Sequence, residues 1–394
     1  MNKKQSIAFI TDVLSYRAGF IKQVIEQANY FSKLGYDVTV FTSHYDAKKC
    51  FPEIKKNFKI KSLNYKIRFP LLAPLENRFI KKNKMQSLIR EERKQYEIFI
   101  IHGDPYFILS KFLISCFIEA KIVWHINDIP YSFDILLRRE SSLLNKIAGP
   151  LLRMIDKYYI NYLNNITTLN EVNKKSIKVL FGKKSTVVNT GVDKFFVQTK
   201  LKKRVIDHNK VITLSVGAFS TNRRYEDIIK AISILNNSSK TTRFLLRIIG
   251  YQGTTPTYYK YLVKLVDELK LNEYVTFINS ATNDELKKEY YNADIFIQST
   301  EHIGWTIPAM EAMISGNPVI ITNSCGLNER LRDGVDAFIV KSRSPEQIKD
   351  KIQLLINNDS IYKRISMTGR KTILDNFMWG SYCVKYKQQV KNFR

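Results

Sequence analysis

The stretch EHIGWTIPAMEAMISGNPVI, residues 301–320, decides the fold. Pro308 suits the first turn of a helix, where its missing N–H is not needed. Gly316 ends that helix, and Pro318 leads into the apolar Val-Ile-Ile of a new strand. The run before it, ADIFIQS (293–299), also reads as a strand. A short helix over 308–315 between two apolar strands is one step of a βαβ series. Such series build parallel sheets covered on both faces. Glu311 is the one acid within this helix. It stands near a helix N-terminus whose free N–H groups and partial positive charge seat phosphate or sugar oxygens. A carboxylate accepts two hydrogen bonds at once, so Glu311 is suited to hold a vicinal diol such as a ribose. Complementing the helix dipole is the plainer role.

The same rhythm runs outward in both directions. Strands read at VITLSVG (211–217), FLLRIIG (244–250), YVTFIN (274–279) and PVIIT (318–322), with helices at 226–236, 257–270 and 283–291. Two further helix patterns cover 345–357 and 379–392. Toward the amino terminus the strands are SIAFIT (6–11), DVTVFT (37–42), YEIFIIH (96–102) and AKIVWH (120–125). A helix pattern near 20–34 ends at Gly35, and 165–190 reads as strand, helix and short strand. KKRVIDHNK (202–210) is the linker candidate. With 394 residues the chain suits two domains. We place an amino-terminal domain at 1–195, joined by a return helix at 376–394, and a carboxyl-terminal domain at 205–375. The predicted fold class is α/β, two Rossmann-like domains facing across a cleft, with ligands at the carboxyl ends of the strands.

Charge narrows the partners. The chain carries 63 Lys and Arg against 36 Asp and Glu, a net +27, and the first 200 residues hold 34 against 17. This excess suits anionic ligands or an anionic membrane surface; a Lys-, Asn- and Ile-rich composition also raises charge without purpose. Zinc-finger spacing, an aromatic RNA-binding signature and a basic zipper are all missing, so nucleic acid is not an expected partner. Cys50, Cys116, Cys325 and Cys383 lie far apart and read as reduced thiols. The opening MNKKQSIAFITD has too short an apolar run for a signal peptide. The most apolar window, YFILSKFLISCFI (106–118), is broken by Lys111 and falls short of the ~20 residues a membrane span needs. We expect a cytoplasmic protein, peripheral on the inner face of the cell membrane. FPLLAPLENRFIKKNKMQSLIREERK (69–94) and YSFDILLRRESSLLNKIAGPLLRM (131–154) mix apolar residues with Lys and Arg. They read either as membrane-surface segments or as ordinary helices packed on the sheet.

GWTIPAMEAMISGNPVIIT resembles the carboxyl-domain signature of family-4-type retaining glycosyltransferases (glycosyltransferase group 1), which adopt the two-Rossmann GT-B fold. SVGAFSTNRRYEDIIKAI (215–232) is similar to that family's strand and basic loop, and 247–300 to its next two strand–helix units. GLNERLRDGVDAFIV (326–340) and FMWGSYCVKYKQQV (377–390) are similar to its last loop and to the return helix that packs on the amino-terminal domain. The resemblance implies that Glu311 holds the donor ribose and that Arg223, with Arg224 beside it, meets the donor diphosphate. Gly304, Trp305, Thr306 and Ile307 line the donor sugar and phosphates, and Gly19 belongs to a glycine-rich loop near the phosphates. His125, in VWHINDIP, is placed beside the anomeric carbon as the catalytic candidate; Asp128, His102, Asp104 and Glu329 are supporting ones.

The implied reaction moves a hexose, with retention, from a nucleoside-diphosphate sugar to a hydroxyl of a glycan acceptor. The acceptor is expected to be lipid-linked, as in cell-surface polysaccharide synthesis. No DxD-type pair is present, so neither a metal nor another cofactor is expected. The family usually places a second Glu eight residues before Glu311, where Ile303 stands here; Glu301 lies two residues earlier. Thr306 replaces a common Gly, Ala218 a common Arg and Ala18 a common Gly. A sugar-nucleotide epimerase and a non-catalytic partner subunit are the alternatives.

Overall fold

The computed structural model describes residues 5–66, 76–104, 106–127, 143–198, 209–251, 256–301 and 305–392, with the backbone alone at 77, 78 and 143–148. The chain divides into two compact units, Met1–Thr190 with Tyr382–Arg394, and Gly191–Ser381.

In the first unit seven strands form one parallel sheet in the order β3-β2-β1-β4-β5-β6-β7. They are β1 (Ser6–Leu14), β2 (Asp37–Tyr45), β3 (Lys59–Ser62), β4 (Ile98–His102), β5 (Lys121–Ile126), β6 (Asn165–Thr168) and β7 (Thr186–Val187). Helices α1 (Gly19–Lys33), α2 (Lys82–Glu91), α3 (Ser110–Cys116), α4 (Leu143–Ile160) and α5 (Glu171–Phe181) connect them. Register is fixed by burial: Ile7, Ala8, Phe9 and Ile10 of β1 are fully enclosed and pair with β2 on one side and β4 on the other. A strand buried on both faces reads as a continuous apolar run. One core packs Ile101, Phe107, Trp124 and Phe181 together.

The second unit repeats the plan with six parallel strands in the order β10-β9-β8-β11-β12-β13. They are β8 (Lys210–Val216), β9 (Arg243–Gly250), β10 (Val275–Asn279), β11 (Ile295–Gln298), β12 (Val319–Thr322) and β13 (Phe338–Val340). The helices are α6 (Tyr225–Ser238), α7 (Pro256–Glu268), α8 (Asn283–Asn292), α9 (Ile307–Ile314), α10 (Pro345–Ile356) and α11 (Asp359–Asn376). Helix α12 (Trp379–Asn392) follows, and from Tyr382 onward it belongs to the first unit. In both sheets the first strand of the unit, β1 or β8, sits inside the sheet, so strand order reverses between β1 and β4 and between β8 and β11. Ligands of such sheets bind at the carboxyl ends beside that reversal.

Helix α11 escaped the sequence reading. Gly369 interrupts its pattern, and glycine inside a helix ordinarily counts against one. Here a Cβ at Gly369 would lie 2.3 Å from the Asp336 carbonyl oxygen, so close packing demands the glycine. All four cysteines are unpaired, three of them buried. Of the linker candidate, residues 202–208 lie outside the described residues, and β8 begins at Lys210.

Candidate functional site

The reversal point of the second sheet is built from the ends of β8 and β11. Leaving β8, the chain passes Gly217, whose carbonyl accepts from the Tyr225 hydroxyl at 2.8 Å. A Cβ on Gly250 would stand 2.1 Å from that same carbonyl oxygen, so β9 must end in glycine for the loop to pass. The loop then makes a 3₁₀ turn, Thr221–Arg223, and enters α6 through Arg224 at φ 53°. A left-handed conformation at a non-glycine residue is strained and persists only where its surroundings over-determine it. They do so here. The Ser299 hydroxyl, just past β11, lies 2.8 Å from the carbonyl oxygens of both Arg223 and Arg224. The Glu301 amide donates to the Asn222 carbonyl at 2.8 Å.

The two arginines are used differently. The Arg224 guanidinium is engaged with Glu226 at 2.7 Å and Asp227 at 2.9 Å. Glu226 also accepts from the buried Tyr258 hydroxyl at 2.5 Å. Burial, more than the carboxylate of Glu226, pushes that phenol well above its ordinary pKa. Arg223 lies against Gly217 and Tyr225: a Cβ at Gly217 would meet Arg223 Nε and the Tyr225 hydroxyl at 3.1 Å. Its Nη1 is buried and has no hydrogen-bond partner. A buried guanidinium nitrogen without an acceptor is costly, and a phosphate oxygen is the acceptor its planar geometry fits best.

Beside this loop, β11 leads to α9. Thr306 is the N-cap of α9 but makes no side-chain cap bond, so its hydroxyl leaves the helix's first N–H groups unoccupied. Its hydroxyl donates instead to Gln298 Oε1 at 3.1 Å. Gln298 is fully buried, and its Nε2 is a second orphan donor. Trp305 is buried, with its indole N–H directed to Met310 Sδ at 3.1 Å. Ile307 is the first helical residue and half-buried. Glu311 lies more than a turn inside α9, 7% exposed, and accepts from the Tyr290 hydroxyl at 2.9 Å. Burial first, then the Glu311 charge, drives the Tyr290 phenol far above its ordinary pKa, with a further contribution from Tyr225. Tyr225 in turn feels the Arg223 cation. Arg223 thus neighbours the buried Tyr225, and Glu311 the buried Tyr290.

Other residues singled out in the sequence fall elsewhere or outside the described residues. Gly304, Ile303 and Asp128 lie outside the described residues. Glu301, the shifted acid, is engaged with Arg343 at 2.9 and 3.0 Å. Glu329 is half-buried in the turn Gly326–Arg330 after β12.

The first unit holds Gly19 and His125. Gly19 is the exposed first residue of α1, whose N-cap, Ala18, has no side chain to cap with. In this structure both ring nitrogens of His125 are engaged by side chains. It is fully buried. Its Nε2 accepts from Gln23 Nε2 at 2.9 Å, which leaves Nδ1–H facing Thr167 Oγ1 at 2.8 Å. Burial pushes its pKa down to about 3 against a small opposing effect of Asn127. Gln23 and Gln27 also donate to the Tyr382 hydroxyl, at 2.7 and 2.5 Å. Gln27 Oε1 accepts from His102 Nε2 at 2.7 Å. The two imidazoles stand 4.9 Å apart, and Tyr386 packs on His125. Together these residues fasten the last helix to α1 and the sheet. His102, a supporting candidate, belongs to this fastening; Asp104 follows it just past Gly103 at the end of β4.

Sequence reasoning missed Gln23, Gln27, Tyr290, Gln298 and the anchoring role of Ser299. Gln23 and Gln27 carried a signal: an i, i+4 amide pair among the buried positions of a helix implies a polar partner. Among the described residues no three His, Cys, Asp or Glu side chains converge as a metal-binding group.

Residues 196–372 match the family model described as "Glycosyl transferases group 1". The chain is 24% identical over 368 residues to an uncharacterized glycosyltransferase of Haemophilus influenzae, covering 93% of this chain and 94% of that one. It is 21% identical over 403 residues to mouse alpha-1,3/1,6-mannosyltransferase ALG2, covering 94% and 92%. Among solved structures, Anabaena HepE in complex with UDP-glucose superimposes with a TM-score of 0.76, at 14% identity over 98% of this chain and 100% of that one.

Proposed function

We propose, from the match of residues 196–372 to the model of glycosyl transferases group 1, that the chain moves a hexose from a nucleoside-diphosphate sugar to a hydroxyl of a glycan acceptor, with retention at the anomeric carbon. The second unit holds the donor and the first the acceptor. The observation that carries this reading is the buried, unpartnered Nη1 of Arg223 at the reversal point of the second sheet. The UDP-glucose of HepE and the mannosyl transfer in the name of ALG2 support a nucleotide-linked hexose.

Cleavage of the sugar–phosphate bond leaves negative charge on the departing diphosphate. Arg223 and the uncapped N–H groups of α9 are fixed before the reaction begins, so they stabilise that charge without reorganising. Glu311, held by Tyr290, takes the ribose hydroxyls; Ser299 and Arg224 keep Arg223 aimed. Trp305, Thr306 and Ile307 line the phosphates and sugar. In this reading the arginine and the helix amides neutralise the leaving group, so transfer proceeds in the presence of a chelator. The acceptor is lipid-linked, which places the protein at the inner membrane surface.

A screen of UDP-, GDP- and ADP-hexoses with and without lipid-linked acceptor, in chelator, tests the proposal. The expected result is acceptor-dependent release of nucleoside diphosphate and an α-anomeric product from an α-linked donor. Epimerised donor without acceptor, or no turnover of any donor, overturns it.

A further inference from the structure

A helix packed on a sheet buries one stripe and turns a polar face outward. Helix α4 breaks this rule. Its inward stripe is Leu152, Asp156 and Ile160, all buried. Its outward stripe is also apolar: Leu151, Met154 and Tyr158, at i, i+3 and i+7, are 49%, 66% and 46% exposed. The neighbouring α3 extends this face. Lys111 Nζ donates to the Tyr158 hydroxyl at 2.7 Å and stands 5.3 Å from the centre of its ring. Ile114, one turn on, is 40% exposed.

The rim is basic. Arg153 and Lys157 flank the stripe on α4, and Lys82 of α2 sits over the ring of Tyr159 at 5.3 Å. The one acid of the described α4 side chains, Asp156, points inward and is fully buried. Among the described residues Glu119, just past α3, is the exposed acid nearest to α3 in sequence. Among the described residues no helix is long and apolar enough to cross a membrane.

We propose that the outward face of α3 and α4 is a docking surface for an anionic lipid bilayer, with Leu151 and Met154 entering the acyl boundary and Tyr158 and Lys111 at the headgroups. Large apolar side chains ringed by Lys and Arg are the signature of interfacial binding. Tyrosine prefers the headgroup level, and basic residues add attraction to anionic headgroups. The 34 Lys and Arg against 17 acids in the first 200 residues give the long-range complement. The surface deepens the lipid-linked acceptor reading and rests on it for its purpose, although not for its binding.

The test is flotation of the full chain with phosphatidylcholine vesicles, with and without phosphatidylglycerol, at low and high salt. The wild type should float only with the anionic vesicles and be released by salt. The pair Leu151→Asp and Met154→Asp should lose binding by roughly tenfold or more. The same variant should keep its thermal midpoint and its affinity for nucleoside diphosphate. Equal flotation of variant and wild type, or no flotation of the wild type at low salt, overturns the surface. So does a wild type that self-associates through this face while ignoring vesicles. Flotation without transfer to a lipid-linked acceptor leaves the surface standing and overturns the acceptor reading instead.

Discussion

His125 and Arg223 lie toward the carboxyl ends of strands in different sheets and are held in different ways. In the first, both ring nitrogens of His125 are engaged and the ring is enclosed by Gln23, Thr167 and Tyr386. In the second, the Arg223 backbone is held by Ser299 while Nη1 of its guanidinium has no partner. A satisfied buried polar group stabilises a fold; an unsatisfied one costs free energy and persists where a ligand completes it. On the proposed function the contrast separates fastening from binding: His125 ties down the last helix, whereas Arg223 is the residue offered to an anion.

Four predictions press on that contrast. The largest effect belongs to Arg223→Ala, which should lower kcat/KM for the donor by roughly 100- to 1,000-fold, as loss of a fixed charge-stabilising donor does. Steady-state transfer assays read this directly, and a loss below tenfold would remove Arg223 from the diphosphate. Glu311→Ala should raise the donor KM by about 10- to 100-fold, with the smaller loss in Glu311→Gln; competition by free nucleoside diphosphate distinguishes ribose binding from sugar binding. Ser299→Ala should cost about fivefold to tenfold, the worth of one hydrogen bond. That loss should fall on donor KM, with partial recovery in Ser299→Thr, because the residue acts through the Arg223 backbone.

The smallest effect on transfer belongs to His125→Gln. It should leave kcat near wild type while lowering stability by about 1–2 kcal/mol, read by denaturant unfolding. The same histidine sets a pH dependence. Its pKa falls from 6.5 unfolded to about 3 folded, and burial lowers His102 as well. The unfolded chain therefore binds protons that the native state refuses. The stability from keeping His125 neutral is complete above about pH 6.5 and is lost as pH falls from there toward about 3, and His102 adds in the same direction. The slope is at most about 1.4 kcal/mol per pH unit per ring. His125→Gln should flatten it.

Much of this was legible in the residues because the signals were local. Parallel strands buried on both faces announce themselves as apolar runs, and Pro308 and Gly316 mark the ends of α9. Arg223 and Glu311 were singled out because each lies at a strand–helix junction within a stretch that resembles a known family's signature. What escaped depended on distant partners. No property of VWHINDIP reveals that His125 faces Gln23, 102 residues away. The basic pair at 223 and 224 divides its labour only once Glu226 and Asp227 fold beside Arg224. Glu301 is two residues from a useful position, but its engagement with Arg343 lies 42 residues along the chain. Helix α11 was hidden because the Asp336 carbonyl, not local propensity, requires Gly369.

Calorimetric titration of UDP, GDP and ADP into the wild type, Arg223→Ala and His125→Gln tests the central claim most directly. We predict that one of these nucleotides binds the wild type and His125→Gln alike, and that Arg223→Ala has lost it. Binding preserved in Arg223→Ala and abolished in a folded His125→Gln would contradict the account.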